Sequence, residues 1–287
     1  MFIIKYKSLF IGLSVLLVIA SFAIMGAYGI KQGIDFTGGT TLEITYTGAA
    51  PALDMEAIKA LDVSVYETGE GSFKFITGLP YEEVEAKLTP ILTGGGATFT
   101  TTSLVTVGPT LGKEMTRKAI IAITIVILAI LAFIAFSFRE VSEPVSSWKY
   151  GFAAMITMAH DIVVPTGVYV LLSHFFGAEL NTLFVIALLT IMAVTISDKI
   201  VVFDRIRENL KTKKGSFDEI VGMSLRQTAV RSINTSLTTV LALVALYVVG
   251  PESTKFFSLT LMVGLVVGTY SSIFVASPLL TLWNRKK

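Results

Sequence analysis

Four ionisable residues interrupt long apolar stretches of this 287-residue chain. His160 and Asp161 are consecutive within one stretch. Asp198 lies near the end of the next stretch, and Arg231 opens the one after that. An ionisable side chain in hydrocarbon is costly and usually faces a partner or a water-filled cavity. Because a carboxylate beside a basic group can bind and release a proton, these residues predict a proton-coupled site.

Asp198 and Arg231 form the preferred pair. They lie on neighbouring apolar stretches joined by one loop, so both belong to the same half of the membrane. A direct or water-mediated pair is feasible there, and it would keep Asp198 ionised until protonation breaks it. The alternative is a fixed ion pair that sets helix register. The sequence favours the proton switch, because charges inside a membrane are functional by default.

His160 and Asp161 leave two interpretations open. In the functional interpretation, the two residues are a second proton-relay element or a hinge contact beside Pro165. In the structural interpretation, their side chains only form hydrogen bonds with the backbone or with neighbouring helices. Lys199 follows Asp198 and points about 100° away around a helix. We expect its ammonium group to extend to the membrane interface.

Six apolar runs surround these residues and have the length that crosses a membrane, about 20 residues. They are Leu9–Ile30, Ala119–Phe138, Gly151–Leu172, Leu183–Phe203, Ser236–Val249 with its polar lead-in, and Phe257–Trp283. A composition of 53% hydrophobic and 15% charged residues excludes a water-soluble protein. The chain is therefore predicted to be a polytopic α-helical membrane protein with six transmembrane helices.

The distribution of Lys and Arg predicts the orientation, because these residues bias short loops toward the cytoplasm. The N-terminus, the links after the second and fourth spans and the C-terminus carry most of them, whereas Ser173–Thr182 has none. Both termini are therefore predicted to be cytoplasmic. The basic stretch Arg205–Lys214 also suits contact with anionic membrane lipid or a partner, although topology alone explains it.

The residues between the first and second spans predict a separate domain. Strands are expected at Thr40–Thr47, Val63–Thr68, Phe73–Thr77 and Thr98–Val107, and helices at Pro51–Ala60 and Pro80–Leu92. The order β-α-β-β-α-β is that of a ferredoxin-like domain. The predicted organisation is residues 1–30 for the N-terminus and first span, residues 31–116 for an extracytoplasmic α+β domain, and residues 117–287 for the remaining spans.

Several other chemistries are excluded. A formal net charge of +2 is too small for a nucleic-acid binder, whose affinity depends on neutralising phosphates. The chain has no cysteine, and with only His160 and His174 a metal site is not expected. Neither a P-loop nor a hydrolase or metalloprotease motif is present. We therefore expect neither an enzyme nor a bound cofactor.

Small residues recur in the last span. Gly264, Gly268, Ser272 and Ala276 are spaced four residues apart. Such a ladder is typical of a helix-packing face, and a sliding contact is the functional alternative.

Taken together, the motifs resemble the SecF group of the SecD/SecF family of protein-export membrane proteins, which are relatives of the RND transporters. The segments that carry the resemblance run through the whole chain: Gly33-Ile34-Asp35-Phe36-Thr37-Gly38-Gly39 after the first span, Gly108–Glu114 before the second, Ala159-His160-Asp161 in the third, Asn181–Phe184 and Val201–Asn209 in the fourth (with Asp204, Arg205 and Arg207), Arg231–Thr239 (with Asn234) in the fifth, and Gly268–Pro278 in the sixth.

The resemblance implies a complex with SecD beside the SecY/SecE/SecG channel in the cell membrane. There the proton-motive force would help to pull unfolded preproteins outward late in translocation, although sodium also remains open as the coupling ion. The resemblance implies that Asp198 carries the proton and that Arg231 is its basic neighbour. The family usually has Asn-Asp-Thr where this chain has Ser197-Asp198-Lys199, so a cation here replaces a neutral hydroxyl.

Two other functions remain open from the sequence. An RND-like exporter of lipids or small molecules would share the architecture but would need a ligand pocket and a second set of spans from a partner. A non-motor assembly factor of the SecY channel would leave Asp198 dispensable.

Overall fold

A computed structural model describes residues 2–48, 50–51, 53–137 and 147–283. The elements in chain order are α1 (Phe2–Lys5), α2 (Lys7–Tyr28), α3 (Ile34–Thr37), β1 (Gly39–Tyr46), α4 (Met55–Ala60), β2 (Val63–Gly69), β3 (Ser72–Thr77), α5 (Tyr81–Leu92), β4 (Phe99–Val107), α6 (Pro109–Ser137), α7 (Ser147–Phe176), α8 (Thr182–Thr212), α9 (Phe217–Val249), α10 (Lys255–Ser271), a π-helical turn (Ser272–Ala276) and α11 (Ser277–Trp283).

Six helical segments of the described residues are long and apolar enough to cross a membrane, which confirms the predicted six spans. Five are α2, α6, α7, α8 and α9, and the sixth runs from Glu252 through α10, the π-helical turn and α11. The predicted end of the second span, Phe138, lies outside the described residues. So do Arg139 in the following link and the basic residues Arg285, Lys286 and Lys287.

The fifth span begins much earlier than the apolar pattern indicates. Its helix α9 starts at Phe217, well before the predicted opening residue Arg231 and the apolar run from Ser236, because Ser216 and Glu219 form a reciprocal capping box that fixes the first turn. The second span also starts early, at Pro109, a residue that suits the first position of a helix. In both helices the first turns are polar and continue directly into the apolar run. Hydropathy alone therefore does not show where these helices begin.

The α+β domain has the predicted element order. Its four strands form one sheet in the order β2-β3-β1-β4, and every neighbouring pair is antiparallel. This is the strand order of a ferredoxin-like fold, so the predicted fold class is confirmed. Its core is apolar and includes Ile44, Ile58, Phe75, Leu88 and Leu92.

The helix α4 begins later than the predicted Pro51. Asp54 precedes it, and its carboxylate accepts hydrogen bonds from the backbone N–H groups of Glu56 and Ala57. These bonds satisfy two of the free donors at the helix N-terminus and so place the start of the helix at Met55.

The chain forms two compact units. One contains residues 1–30, 122–174 and 183–287, and the other contains residues 31–121 together with Phe175–Thr182. The segment Phe175–Thr182 joins the third and fourth spans, and the sequence does not indicate that it belongs with the α+β domain. The predicted boundaries at residues 30/31 and 116/117 stay predictions.

Candidate functional site

The most buried charges of the spanning helices are a pair between α7 and α8. The Lys199 ammonium nitrogen donates a hydrogen bond to Oδ2 of Asp161 at 2.5 Å. Both side chains are 0% exposed. An isolated charge buried in this way would be strongly destabilising, and a close counter-ion is the usual remedy. The pair therefore accounts for two charges that water does not reach.

This arrangement differs from the expectation for Lys199, which was to extend to the membrane interface. That prediction is wrong. The helical step of about 100° per residue turns Lys199 away from Asp198 and toward the neighbouring helix α7. There the Asp161 carboxylate supplies the counter-charge for the ammonium group.

His160 completes the cluster on α7. Its Nδ1 lies 3.1 Å from Oδ1 of Asp161, and the ring is 5% exposed. Within the described residues its Nε2 has no hydrogen-bond partner. Asp161 thus uses one carboxylate oxygen for Lys199 and the other for His160. The alternative of hydrogen bonding between neighbouring helices has a structural basis, while a relay role for His160 and Asp161 stays a prediction.

A third helix, α10, closes the cluster with uncharged residues. The Ser271 hydroxyl lies beside Asp161 and donates a hydrogen bond to the Gly268 carbonyl oxygen at 3.0 Å. Gly268 leaves space, because a Cβ there would overlap the Thr195 methyl group and lie 3.5 Å from Asp161 Oδ2. The π-helical turn starts at the next residue after Ser271. Such turns inside α-helices occur frequently at functional sites.

Asp198 has a different environment on another face of α8. Its side chain is half-buried, and Oδ1 accepts a long hydrogen bond of 3.4 Å from the Ser232 hydroxyl on α9. Arg231 and Asn234 are exposed, and no direct ion pair joins Arg231 to Asp198 in the described part of the chain. The structure therefore brings Asp198 close to Ser232 on α9 but not into an ion pair with Arg231.

The remaining motif residues of the spans have packing and surface roles. A Cβ at Gly264 would overlap the side chain of Ile191, so α8 approaches α10 closely at both glycines of α10. This is the packing face that the ladder of small residues predicts. At the end of α8, Arg207 lies 3.9 Å from Asp204, and Arg205 pairs with Glu208 at 2.9 Å.

The glycine-rich segment after the first span organises the second unit. Gly38 and Gly39 have φ values of +79° and +130°, which side-chain-bearing residues rarely adopt. A Cβ on Gly39 would also overlap the Thr77 carbonyl oxygen of β3. Phe36 contributes its carbonyl oxygen, which accepts a hydrogen bond from Thr116 at 3.3 Å. The role of these residues is therefore structural: the glycines adopt backbone angles and allow close packing that a side chain would prevent, and Phe36 contributes a backbone carbonyl group.

Gly33 and Asp35 hold the segment Phe175–Thr182, and we refer to this set of contacts as the clasp. The Gly33 N–H donates to the Leu180 carbonyl at 2.9 Å, and Oδ2 of Asp35 accepts from the Thr182 N–H at 2.9 Å. Thr182 is the first residue of α8. Asp35 thus caps a helix that lies far away in sequence, where a carboxylate is also favoured by the helix dipole.

Glu179 lies inside the clasp and was not found from the sequence. Burial raises the pKa of its carboxyl group to about 7. Lys74 and Lys31 act in the opposite direction, and Asp35 adds to the rise in pKa. A Cβ on Gly33 would lie 3.1 Å from the Glu179 Cβ, so the backbone of the motif packs directly on this residue. The group can change charge near neutral pH.

The fold and the charged cluster define a class: a polytopic membrane protein with one inserted ferredoxin-like domain and ionisable residues inside its spans. Two family models match the chain, "Protein export membrane protein SecD/SecF, C-terminal" over residues 87–286 and "SecD/SecF GG Motif" over residues 23–50. The chain belongs to the SecD/SecF family of protein-export membrane proteins.

Similar proteins support this membership. The protein translocase subunit SecF of Thermobaculum terrenum is 39% identical, and the match covers 99% of this chain and 94% of that protein. The corresponding subunit of Anaerolinea thermophila is 35% identical over 97% of this chain and 92% of that protein. The crystal structure of SecDF from Thermus thermophilus matches with a TM-score of 0.83 and 31% identity, over 99% of this chain and 38% of that one. Both of these SecF relatives are named as subunits of a protein translocase.

Proposed function

We propose that this chain is the SecF-type subunit of a protein translocase and that, together with SecD, it couples an ion gradient to the late export of unfolded preproteins. The family membership supports the general role. A SecD-type partner is supported by the similarity to SecDF of Thermus thermophilus, of which this chain matches 38%. In this proposal the complex acts beside the SecY/SecE/SecG channel in the cell membrane.

The observation that carries the coupling proposal is the half-buried carboxylate of Asp198 on the spanning helix α8. The same helix contributes Lys199 to the buried pair with Asp161 of α7. A carboxylate inside a membrane-spanning helix costs folding free energy, so its presence there indicates a function. The coupling ion would be a proton, with Arg231 as a basic neighbour that approaches Asp198 through water or in another conformation. Sodium is the alternative ion, since a carboxylate and hydroxyl groups can bind it as well.

The energy available limits the mechanism. One proton crossing a potential of 100 mV supplies about 2.3 kcal/mol. Unfolding a stable domain requires about 5–15 kcal/mol. A single cycle is therefore too weak to unfold a cargo, and the proposed motor acts through many small cycles on a chain that is already unfolded.

The proposed orientation follows from the basic loops. Both termini and the link between α8 and α9 would be cytoplasmic, and the α+β domain would be extracytoplasmic. In that location the domain would contact the emerging preprotein or the corresponding part of SecD. Labelling of single introduced cysteines by a membrane-impermeant reagent tests this orientation directly, because the native chain has no cysteine.

The decisive experiment measures export of a secretory preprotein by membrane vesicles that contain this chain and SecD. A pH gradient and a sodium gradient are imposed separately, so that the coupling ion is identified. Asp198→Asn is compared with the native protein at equal expression, and Glu208→Gln, an exposed carboxylate of the same helix, is the matched control. We expect a gradient to stimulate export in the native and control proteins and to have no effect in Asp198→Asn.

Two results would contradict the proposal. Equal stimulation of Asp198→Asn and the native protein would remove Asp198 from the coupling path. No stimulation in any of the proteins would favour an assembly factor of the SecY channel or an RND-like exporter.

A further inference from the structure

We propose that Lys199 is a positioning residue that keeps Asp161 as a compensated, permanently charged carboxylate, so that Asp198 and not Asp161 exchanges the coupling ion. This inference rests on the proposed function. It assigns different tasks to two aspartates that the sequence places together as candidate coupling residues.

The geometry of the pair is the first argument. Asp161 and Lys199 are both completely buried, and the Lys199 ammonium also lies 3.4 Å from the Thr195 carbonyl oxygen. A proton added to Asp161 would leave the ammonium group buried without a counter-charge. That state is strongly unfavourable in a water-free environment. The pair therefore resists protonation as long as Lys199 stays in place.

Among the described residues, Asp161 is the ion-pair partner of the Lys199 ammonium group, whereas Asp198 on α8 attracts that group without forming an ion pair with it. On α7, His160 is the neighbouring titratable group, and protonating it would add a second positive charge beside Lys199. On α10, Ser271 and Gly268 are uncharged. Nothing that these two helices place at the cluster could compensate the ammonium group if Asp161 became neutral.

Protonation of Asp198 does not have this unfavourable consequence. The Asp198 side chain is half-buried, its contact with Ser232 is long, and none of the described residues forms an ion pair with it. Protonating Asp198 therefore leaves no cation without a partner. The change also acts at the contact between α8 and α9, on a different face of α8 from the one that Lys199 fixes against α7.

The test compares four variants in the SecD-containing vesicles: Lys199→Met, Asp161→Asn, the double variant with both changes, and Lys199→Arg. Each is first examined by thermal unfolding and by the amount of assembled complex. Gradient-driven export is then measured as a function of pH. The double variant removes both charges together, so it leaves neither group buried alone.

We expect the double variant to keep the gradient stimulation and the pH profile of the native protein, and Lys199→Arg to keep them as well. In Lys199→Met the unpaired Asp161 becomes a second protonation site, so the pH profile should gain a second transition. Lys199→Met should also unfold at a lower temperature than the double variant.

The inference is overturned if the double variant assembles normally but loses gradient stimulation, since Asp161 would then carry the ion. If the double variant does not assemble, Lys199→Arg decides, because loss of stimulation in a normally assembled Lys199→Arg would mean that the pair does more than supply a fixed cation. Absence of stimulation in the native protein would overturn the proposed function and this inference together, which separates that case from the first two.

Discussion

The spanning unit and the α+β unit each bury a carboxylate, but only the one in the spanning unit has a lysine in direct contact. Asp161 has a lysine at 2.5 Å and a histidine on its second oxygen. Glu179 has Lys74 and Lys31 nearby, yet burial outweighs both and raises its pKa to about 7. The difference shows that burial alone does not decide whether a carboxylate responds to pH. The distance and fixed position of the counter-charge decide it.

The largest expected effect comes from breaking the compensated pair. Lys199→Met or Asp161→Asn should lower the free energy of unfolding by about 3–5 kcal/mol, because each leaves one buried charge alone. The double variant should recover most of this loss, since the two remaining side chains are neutral. Unfolding in a mild detergent, followed by circular dichroism, measures the three values. Additive losses in the double variant would show that the two residues do not act as a pair.

A second prediction concerns the space that the pair occupies. Gly268→Ala should cost about 1–3 kcal/mol, because the added methyl group overlaps Thr195 and forces α8 and α10 apart. Gly264→Ala should behave similarly through Ile191. The control is Gly12→Ala in α2, where the new methyl group would have no described atom within 4 Å apart from its own stretch of helix. Equal unfolding temperatures for Gly268→Ala and Gly12→Ala would contradict the close approach of the helices.

A third prediction turns to the clasp beside Glu179. Asp35→Ala removes the cap on the first turn of α8 and should cost about 0.5–2 kcal/mol. Asp35→Asn keeps an acceptor oxygen and should cost less. Hydrogen exchange at the Thr182 N–H reports the effect locally, and unchanged protection in Asp35→Ala would mean that this N–H has another acceptor.

The smallest expected effect is the pH response of the clasp. The pKa of Glu179 is raised from 4.5 to about 7 in the closed clasp, so the closed form binds the proton more tightly than the open form. Lowering the pH through about 7 toward 4.5 should therefore stabilise the clasp, and raising it above this window should weaken it. Amide protection factors at Gly33 and Leu180 should be higher at the acidic end.

The matched variants for this response are Glu179→Gln and Glu82→Gln. Glu179→Gln should make the protection factors independent of pH and close to the acidic value, because the amide is neutral throughout. Glu82 lies exposed in the first turn of α5, so its replacement should leave the response unchanged. A pH response that persists in Glu179→Gln would assign it to another group.

The sequence predicts the architecture well because the signals for it are local. Six apolar runs have spanning length, and the alternation in the inserted segment gives four strands and two helices in the observed order. The errors concern starts of helices, where a capping residue such as Ser216 or Asp54 has more influence than hydropathy.

The candidate site is predicted less completely because its contacts are distant in sequence. Asp161 is found from its place in an apolar run, but its partner Lys199 lies 38 positions away on another helix. Glu179 is missed because the short link that contains it has no motif, and its environment is created only when the fold brings Asp35 and Lys74 next to it. The position of Lys199 inside an apolar run was the available sequence signal for the pair, but its partner could be identified only once the position of α7 was known.

The π-helical turn at Ser272–Ala276 has a consequence for insertions and deletions in the last span. A π turn accommodates one residue more than an α-helical turn, and one residue corresponds to about 100° of rotation. Removing a single residue from this turn would therefore restore a regular α-helix and rotate α11 by that angle relative to α10. The hydroxyl of Thr281, which accepts a hydrogen bond from Lys7 at 2.7 Å, would then face away from its partner. A change in the length of this turn would therefore disturb contacts of the last span that lie beyond the turn itself.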